Sequence, residues 1–151
     1  LSNIAVLMRR LVMICVIFVF SLTPKGVEAK TVQIEYTEKD SYSIEVVFID
    51  VGDAVEWLPV NKGHNVQFLA GPEMESLPRG SQIDRKHSVI FNIPGVYLYG
   101  CTPHYNMGML GMIVVGGNID NIEALEKLKL SRIAKSVVRR LVKNVYERDI
   151  Y

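Results

Sequence analysis

The chain has 151 residues, which is enough for one domain with its own hydrophobic core. It carries 17 basic and 16 acidic residues, so its formal net charge is only +1. So balanced a chain lacks the basic footprint of a nucleic-acid-binding protein, and we expect no nucleic-acid partner.

The first 29 residues have the pattern of a secretory signal peptide. Arg9 and Arg10 form a short positive run, residues 11–22 are nearly all apolar, and Val27 and Ala29 occupy the −3 and −1 positions of a cleavage site. The alternative is an uncleaved membrane anchor, but an apolar run of about 12 residues is short of the roughly 20 that span a bilayer. We therefore predict export, cleavage after Ala29 and no stable membrane insertion afterwards.

Cleavage of this leader leaves a chain with one cysteine. Cys15 is removed with it, together with three of the 17 basic residues and one of the 16 acidic residues. A lone Cys101 in an oxidising compartment cannot form an internal disulfide. It is therefore a buried free thiol, an intermolecular partner or a metal ligand.

Short runs of β-branched and aromatic residues, separated by turns, follow the leader. The predicted strands cover residues 31–36, 42–49, 54–58, 64–69, 86–92, 96–101 and 110–115, and residues 71–85 form a long exposed loop. About seven strands at this spacing predict an all-β fold, a sandwich or small barrel with Greek-key connections. Trp57, Met74 and Met112 are interpreted as packing residues, and His87 as a surface residue.

The pattern changes at residue 118, and we predict that residues 118–151 form a helical extension packed on the β domain of residues 30–117. Asp120 and Glu123 have the spacing of a capping box at the start of a helix over residues 121–129. Ser131 is predicted to cap a second helix that runs to about residue 147. Its apolar stripe consists of Ile133, Ala134, Val137, Val138, Leu141, Val142 and Val145. The alternative to packing is a basic amphipathic helix that contacts acidic lipid or a partner.

The most informative stretch is the loop between the last two predicted strands. It holds Cys101, His104 and Met109 in the spacing C-x2-H-x4-M. Thiolate, imidazole and thioether form a soft ligand set that suits copper in both of its oxidation states. A mononuclear site of this kind usually needs a second imidazole, for which His64 is the candidate. Two histidines and a cysteine with a weak axial methionine are typical of blue-copper electron-transfer sites.

The run from Gly63 to Asn65, together with the Cys101–Met109 loop, resembles the cupredoxins, and among them the pseudoazurins, which also have two helices after the last strand. The resemblance implies an eight-strand Greek-key sandwich with one copper ion. His64, Cys101 and His104 would be the equatorial ligands and Met109 the axial one. It further implies a monomeric periplasmic electron carrier that forms transient complexes with a donor and with an acceptor such as copper nitrite reductase.

The same resemblance assigns roles to residues around the ligands. Asn65 would tether the first ligand loop and provide a hydrogen bond near the thiolate. Pro103 and Met107 would form the apolar docking surface around the edge of His104, and Lys62 would belong to a basic docking ring. Gly100 departs from the pattern, because pseudoazurins often have lysine there. The strand-rich segment is also net acidic, with 6 basic and 10 acidic residues, which argues against an acidic partner.

Two other functions use the same residues. Cys101 and His104 are spaced closely enough for a nucleophile and its base, but no orienting acid or oxyanion motif lies near them in the sequence. A copper storage or delivery protein could use the same four ligands, although delivery favours a more exposed and exchangeable site. The predicted function is therefore an electron carrier and not an enzyme.

Overall fold

A computed structural model describes residues 28–149. The predicted leader lies outside these residues, except for its last two positions. The strands are β1 (Thr31–Glu35), β2 (Val46–Ile49), β3 (Ala54–Leu58), β4 (Gln67–Ala70), β5 (His87–Ile90), β6 (Gly95–Gly100) and β7 (Leu110–Val115). Two helices follow, α1 (Ile122–Glu126) and α2 (Arg132–Asp149). The predicted strands and helices are confirmed with shifted ends. The resemblance implied eight strands, whereas the described residues form seven and an isolated bridge between Tyr36 and Tyr42.

The strands form two sheets, in the orders β1-β3-β5 and β2-β7-β6-β4. Strands β1 to β6 alternate between the two sheets along the chain, so neighbours within a sheet are distant in sequence, except for β6 and β7. Strand β1 is parallel to β3 and β2 is parallel to β7, whereas the remaining pairs are antiparallel. The predicted Greek-key sandwich is confirmed.

An aromatic core fills the space between the sheets. Trp57 is fully buried, with its ring against those of Phe68 and Tyr99, as its strand position predicted. His87 is half-buried rather than a simple surface residue, because its ring stacks on Trp57. Met74, in a short 3₁₀ turn, is 56% exposed, so its interpretation as a packing residue was wrong. This core ends at the loop that carries Cys101.

The helices cover the outer face of the second sheet. The residues of α2 that are buried against it are Ala134, Val138, Leu141, Val142 and Val145. Both faces of β6 and β7 are therefore buried, which explains why their sequences are continuous apolar runs. Ile133 is 58% exposed, so its place in the predicted stripe was wrong. Of the helices within residues 28–149, none has the length and apolar content to cross a bilayer.

The two predicted helix caps have different outcomes. Ser131 caps α2, because its Oγ accepts a hydrogen bond from Ala134 N at 3.0 Å. The capping box predicted at Asp120 was wrong, since the N-cap of α1 is Asn121 and its side chain forms no cap hydrogen bond. The amide of Asn121 instead bonds both backbone groups of Val96, at 2.8 Å each. It thus ties α1 to strand β6.

Candidate metal centre

The loop of residues 101–109 joins β6 to β7 at one end of the sandwich. Cys101 N donates to the carbonyl of Met109 at 3.2 Å, and Met109 N donates to the carbonyl of His104 at 3.2 Å. Gly108 adopts the left-handed conformation (φ 107°) that turns the chain between these bonds. The loop therefore brings the three predicted ligands of this stretch side by side, with Cys101 and Met109 both buried.

Gly100, immediately before the loop, has no room for a side chain. A Cβ at this position would lie 2.6 Å from Tyr105 Cβ and 2.9 Å from Leu110 Cδ2. Tyr105 folds back over the end of β6 because its amide donates to the carbonyl of Cys101 at 2.6 Å. Steric crowding by the ligand loop thus accounts for the glycine that departs from the pseudoazurin pattern.

His64 approaches from the loop that precedes β4. Gly63 N donates to Asp84 Oδ1 at 2.6 Å, and Asp84 N donates to the carbonyl of His64 at 2.9 Å. These reciprocal bonds hold the loop against the segment that leads to β5. The imidazole is 4% exposed, and its ring lies edge-on to that of Tyr36. The candidate second imidazole therefore enters the same end of the sandwich as Cys101.

The three strongest candidate ligands converge on one point. The Nδ1 atoms of His64 and His104 are 3.1 Å apart, and Cys101 Sγ lies 3.7 Å from the first and 3.6 Å from the second. A point equidistant from three atoms so spaced is about 2.0 Å from each, close to the roughly 2.0–2.3 Å of metal–imidazole and metal–thiolate bonds. This donor set and spacing fit a soft transition-metal ion such as copper.

Burial controls the ionisation of these groups. It lowers the pKa of His64, with a further decrease from His104, so the ring is held neutral with a free lone pair for a metal. Burial likewise raises the pKa of the Cys101 thiol, although hydrogen bonds from the backbone amides of Asn65 and His104 oppose this increase. The same two amides would solvate a thiolate once a metal ion replaces the proton.

Asn65 links the two loops that carry the ligands. Its Oδ1 accepts from Thr102 N at 2.7 Å, and its Nδ2 donates to Thr102 Oγ1 and to the carbonyl of Ser81. The side chain is buried and uses both of its polar ends. These contacts match the tethering role that the resemblance implied for Asn65.

The three residues assigned to docking are all exposed; Pro103 adjoins His104, the backbone N–H of Met107 donates to the carbonyl of His104, and Lys62 lies two residues before His64. Pro103 and Lys62 are exposed, and Met107 is 59% exposed although it is apolar. His104 itself is partly exposed, so one edge of its ring reaches the solvent through the same surface.

Asp40 is a residue at the site that sequence reasoning missed. Its carboxylate Oδ1 is 3.6 Å from His64 Nε2 and 3.9 Å from His104 Nδ1. It lies in the turn between Tyr36 and Tyr42, the two residues joined by an isolated β-bridge. It is 24 positions before His64 in the sequence and belongs to no motif. The available signal was only a polar turn between two strand-like runs, which predicts a turn without its position in the fold.

Comparisons with known proteins agree with this geometry. The sequence model of the family described as copper-binding proteins of the plastocyanin/azurin family matches residues 28–116. A pseudoazurin of Methylorubrum extorquens is 33% identical over 60% of this chain, and one of Paracoccus pantotrophus is 31% identical over 65%. The match covers 62% and 70% of these two relatives, and 58% of a relative from Rhizobium leguminosarum. The chain thus spans about 60% of the length of the curated relatives it matches first.

Solved structures give the same picture over a larger share of the fold. A Sinorhizobium pseudoazurin superposes with a TM-score of 0.70 and 28% identity, covering 77% of this chain and 96% of the other. A pseudoazurin from Methylobacterium extorquens AM1 gives a TM-score of 0.68 and 27% identity, covering 76% of this chain and 98% of the other. The similarity therefore extends well beyond the residues of the ligand loop.

Proposed function

The chain belongs to the plastocyanin/azurin family of copper-binding proteins, the cupredoxins, and we propose that it is an electron carrier that moves one electron at a time between redox proteins. His64, Cys101 and His104 are the proposed equatorial ligands of one copper ion, and Met109 is the proposed axial ligand. A copper ion bound there supplies a one-electron couple between Cu(I) and Cu(II).

The observation that carries this proposal is the convergence of the two imidazoles and the thiol on one point. Their ligand atoms lie 3.1 to 3.7 Å apart. A rigid frame requires little rearrangement when the charge at its centre changes, which is the condition for fast electron transfer. The same rigidity is a disadvantage for a protein that must release copper to a partner.

The residues around the ligands maintain this frame. Asn65 ties the His64 loop to the Cys101 loop, and the backbone amides of Asn65 and His104 direct their N–H groups at the sulfur. Hydrogen bonds to a ligand sulfur tune the reduction potential of the metal. The partly exposed edge of His104 is the proposed exit for the electron, because the side chain of His104 is 23% exposed whereas that of His64 is 5% exposed and Cys101 is fully buried.

A catalytic cysteine is a poorer interpretation of the same atoms. Nucleophilic cysteines need a lowered pKa and partial exposure, whereas burial raises the pKa of Cys101 and its side chain is fully buried. The imidazole of His64, with Nδ1 3.7 Å from Cys101 Sγ, would also have no role in a catalytic pair of Cys101 and His104.

The proposed biology follows the family. Residues 1–29 are the proposed signal peptide, residues 30–117 the cupredoxin domain and residues 118–151 the helical extension of a monomer exported to the periplasm. The proposed acceptor is a reductase such as copper nitrite reductase, which would dock in a transient complex on Pro103, Met107 and Lys62. An apolar centre with a charged rim suits such brief contacts.

Optical and EPR spectra of the protein loaded with Cu(II) test the function. We expect an intense thiolate-to-copper charge-transfer band and narrow copper hyperfine splitting, both of which Cys101→Ser should abolish. Stopped-flow reduction followed by mixing with an oxidised acceptor should give electron transfer without loss of copper to a chelator. A colourless protein, or a blue protein that yields its copper to the chelator faster than its electron to the acceptor, contradicts the proposal.

A further inference from the structure

Asp40 is held above the candidate metal centre by a constrained turn. Thr37 N donates to the carbonyl of Ser41 at 2.9 Å, and the hydroxyl groups of Thr37 and Ser41 lie 2.6 Å apart. Asp40 adopts the left-handed conformation, with φ of 50°, which aspartate and asparagine tolerate better than most residues. The turn closes at the Tyr36–Tyr42 bridge, and the Tyr36 ring contacts that of His64. The position of Asp40 is therefore fixed relative to the ligand.

The carboxylate of Asp40 faces the ligand histidines. Its Oδ1 lies 3.6 Å from His64 Nε2, the ring nitrogen that points away from Cys101, and 3.9 Å from His104 Nδ1. Both distances are longer than a hydrogen bond, so the contact with the neutral His64 ring is an electrostatic one between a carboxylate and an N–H dipole. The side chain of His64 is 5% exposed and that of Asp40 is 58% exposed, so the acid bridges the buried ligand and the solvent.

Two physical effects follow from this placement. A ligand imidazole usually donates its second N–H to a carboxylate, a carbonyl or water, which fixes the ring and makes it a stronger donor to the metal. A negative charge close to a metal also favours the more positive of its oxidation states. Both effects act in the same direction, since both stabilise Cu(II) relative to Cu(I).

We propose that Asp40 is a positioning residue for His64, and that its carboxylate lowers the reduction potential of the copper site. The part of this proposal that concerns the reduction potential rests on the proposed function. The attraction of the Asp40 carboxylate for the Nε2–H group of His64, at 3.6 Å, orients the imidazole so that Nδ1 faces Cys101 and His104. Its charge adds to the electrostatic preference for the oxidised ion.

The test compares Asp40→Asn with wild type and with Asp40→Glu. Asparagine keeps the left-handed turn and nearly the same shape, so it removes the charge without removing the frame. A redox titration followed at the charge-transfer band should show that Asp40→Asn increases the Cu(I)/Cu(II) affinity ratio about fivefold, or about 40 mV for one electron. Asp40→Glu keeps the negative charge, so its Cu(I)/Cu(II) affinity ratio should be close to that of the wild type.

Glu38→Gln is the matched control. Glu38 is exposed and lies in the same turn, so this variant also removes one negative charge close to the site. We expect it to change the affinity ratio less than twofold. If Glu38→Gln shifts the potential as much as Asp40→Asn does, the effect is general electrostatics of the turn, and the specific role of Asp40 is wrong.

A second measurement does not need copper. In the metal-free protein at about pH 8, where the imidazole is neutral, ¹⁵N NMR reports which ring nitrogen of His64 carries the proton. We expect the Nε2–H tautomer to dominate in the wild type and to decrease in Asp40→Asn, with the free energy of unfolding unchanged. An unchanged tautomer ratio overturns the positioning role. A wild-type protein that binds copper without the blue band contradicts the proposed function instead, and the tautomer ratio still decides the role of Asp40.

Discussion

Asn65 and Thr102 are hydrogen-bonded to each other twice, once in each direction. Thr102 N donates to Asn65 Oδ1 at 2.7 Å, and Asn65 Nδ2 donates to Thr102 Oγ1 at 2.9 Å. The two residues follow His64 and Cys101 directly in the sequence. This pair therefore fixes the separation of two candidate ligands that lie 37 positions apart.

We expect Asn65→Ala to lower the free energy of unfolding of the metal-free protein by about 1–2 kcal/mol, because it leaves Thr102 N and the carbonyl of Ser81 without their partner in a partly buried region. Urea denaturation measures this loss. Thr102→Val is the control, since it removes the Oγ1 acceptor and keeps the bond from Thr102 N to Asn65. If the two variants are equally stable, the backbone bond contributes little and the tether is weaker than its geometry indicates.

Gly100 gives a steric prediction. Both Gly100→Ala and Gly100→Lys place a Cβ within 3 Å of Tyr105 Cβ and Leu110 Cδ2, and we expect each to cost about 1–3 kcal/mol by overpacking. The comparison of the two variants by thermal denaturation separates steric crowding from charge. A stable Gly100→Lys would show that the ligand loop can move aside, and that this glycine is not required by the fold.

The link between α2 and the ligand loop is also testable. Ser131 Oγ caps the helix at Ala134 N and donates to the carbonyl of Asn106 within the loop. Ser131→Ala should therefore lower the free energy of unfolding by about 1–2 kcal/mol. It should also broaden the EPR signal of the Cu(II) protein as the loop loses a support.

Ser136→Ala serves as the control for this link. Ser136 is exposed in the middle of the same helix, where alanine is the better helix former. We expect this variant to be as stable as the wild type or slightly more stable. Equal losses in Ser131→Ala and Ser136→Ala would mean that the contact with Asn106 has no energetic effect.

The site could be predicted from the sequence to the extent that its chemistry is local. Cys101, His104 and Met109 lie within nine residues, and their spacing alone indicated a soft metal site. His64 was identified because a mononuclear site of this type needs two imidazoles, and the Cys101–Met109 loop supplies only one. Asp40 had no such signal, because its contact with His64 depends on how a polar turn folds over the end of the sandwich.

The fold shows the same division between local and long-range information. Strand positions followed from β-branched and aromatic runs, since these residues pack on a pleated surface. The prediction of a capping box at Asp120 was wrong because the N-cap is Asn121, and its amide bonds the backbone of Val96 in β6 instead of the N–H groups of its own helix. Ile133 fits the helical period but lies next to Gly108 of the ligand loop and is 58% exposed. Periodicity indicates which residues share a face and not how far the partner surface extends.

Asp53 gives the last prediction, which concerns pH. The backbone N–H of Lys30 donates to Asp53 Oδ1 at 2.7 Å, and that of Asp50 donates to Oδ2 at 3.0 Å. These two hydrogen bonds hold the pKa of Asp53 below its usual value, and the bond from Lys30 has the larger effect. A carboxyl that binds its proton less tightly in the folded state stabilises the fold above its unfolded pKa of about 3.9, and this contribution is lost as the pH falls through the folded pKa.

Asp53→Asn should therefore be less stable than the wild type at pH 7, since asparagine lacks the charge and keeps only one of the two oxygen acceptors. The part of the difference that comes from the charge should disappear as the pH falls below about 4. Urea denaturation at several pH values measures this. If the predicted cleavage after Ala29 occurs, the nitrogen of Lys30 becomes a charged α-ammonium at the same position. A protein that begins at Lys30 should then show a larger effect of Asp53→Asn at pH 7 than one that retains Ala29. A difference between Asp53→Asn and wild type that stays constant from pH 7 to pH 3 would show that the charge of Asp53 does not stabilise this end of the sheet.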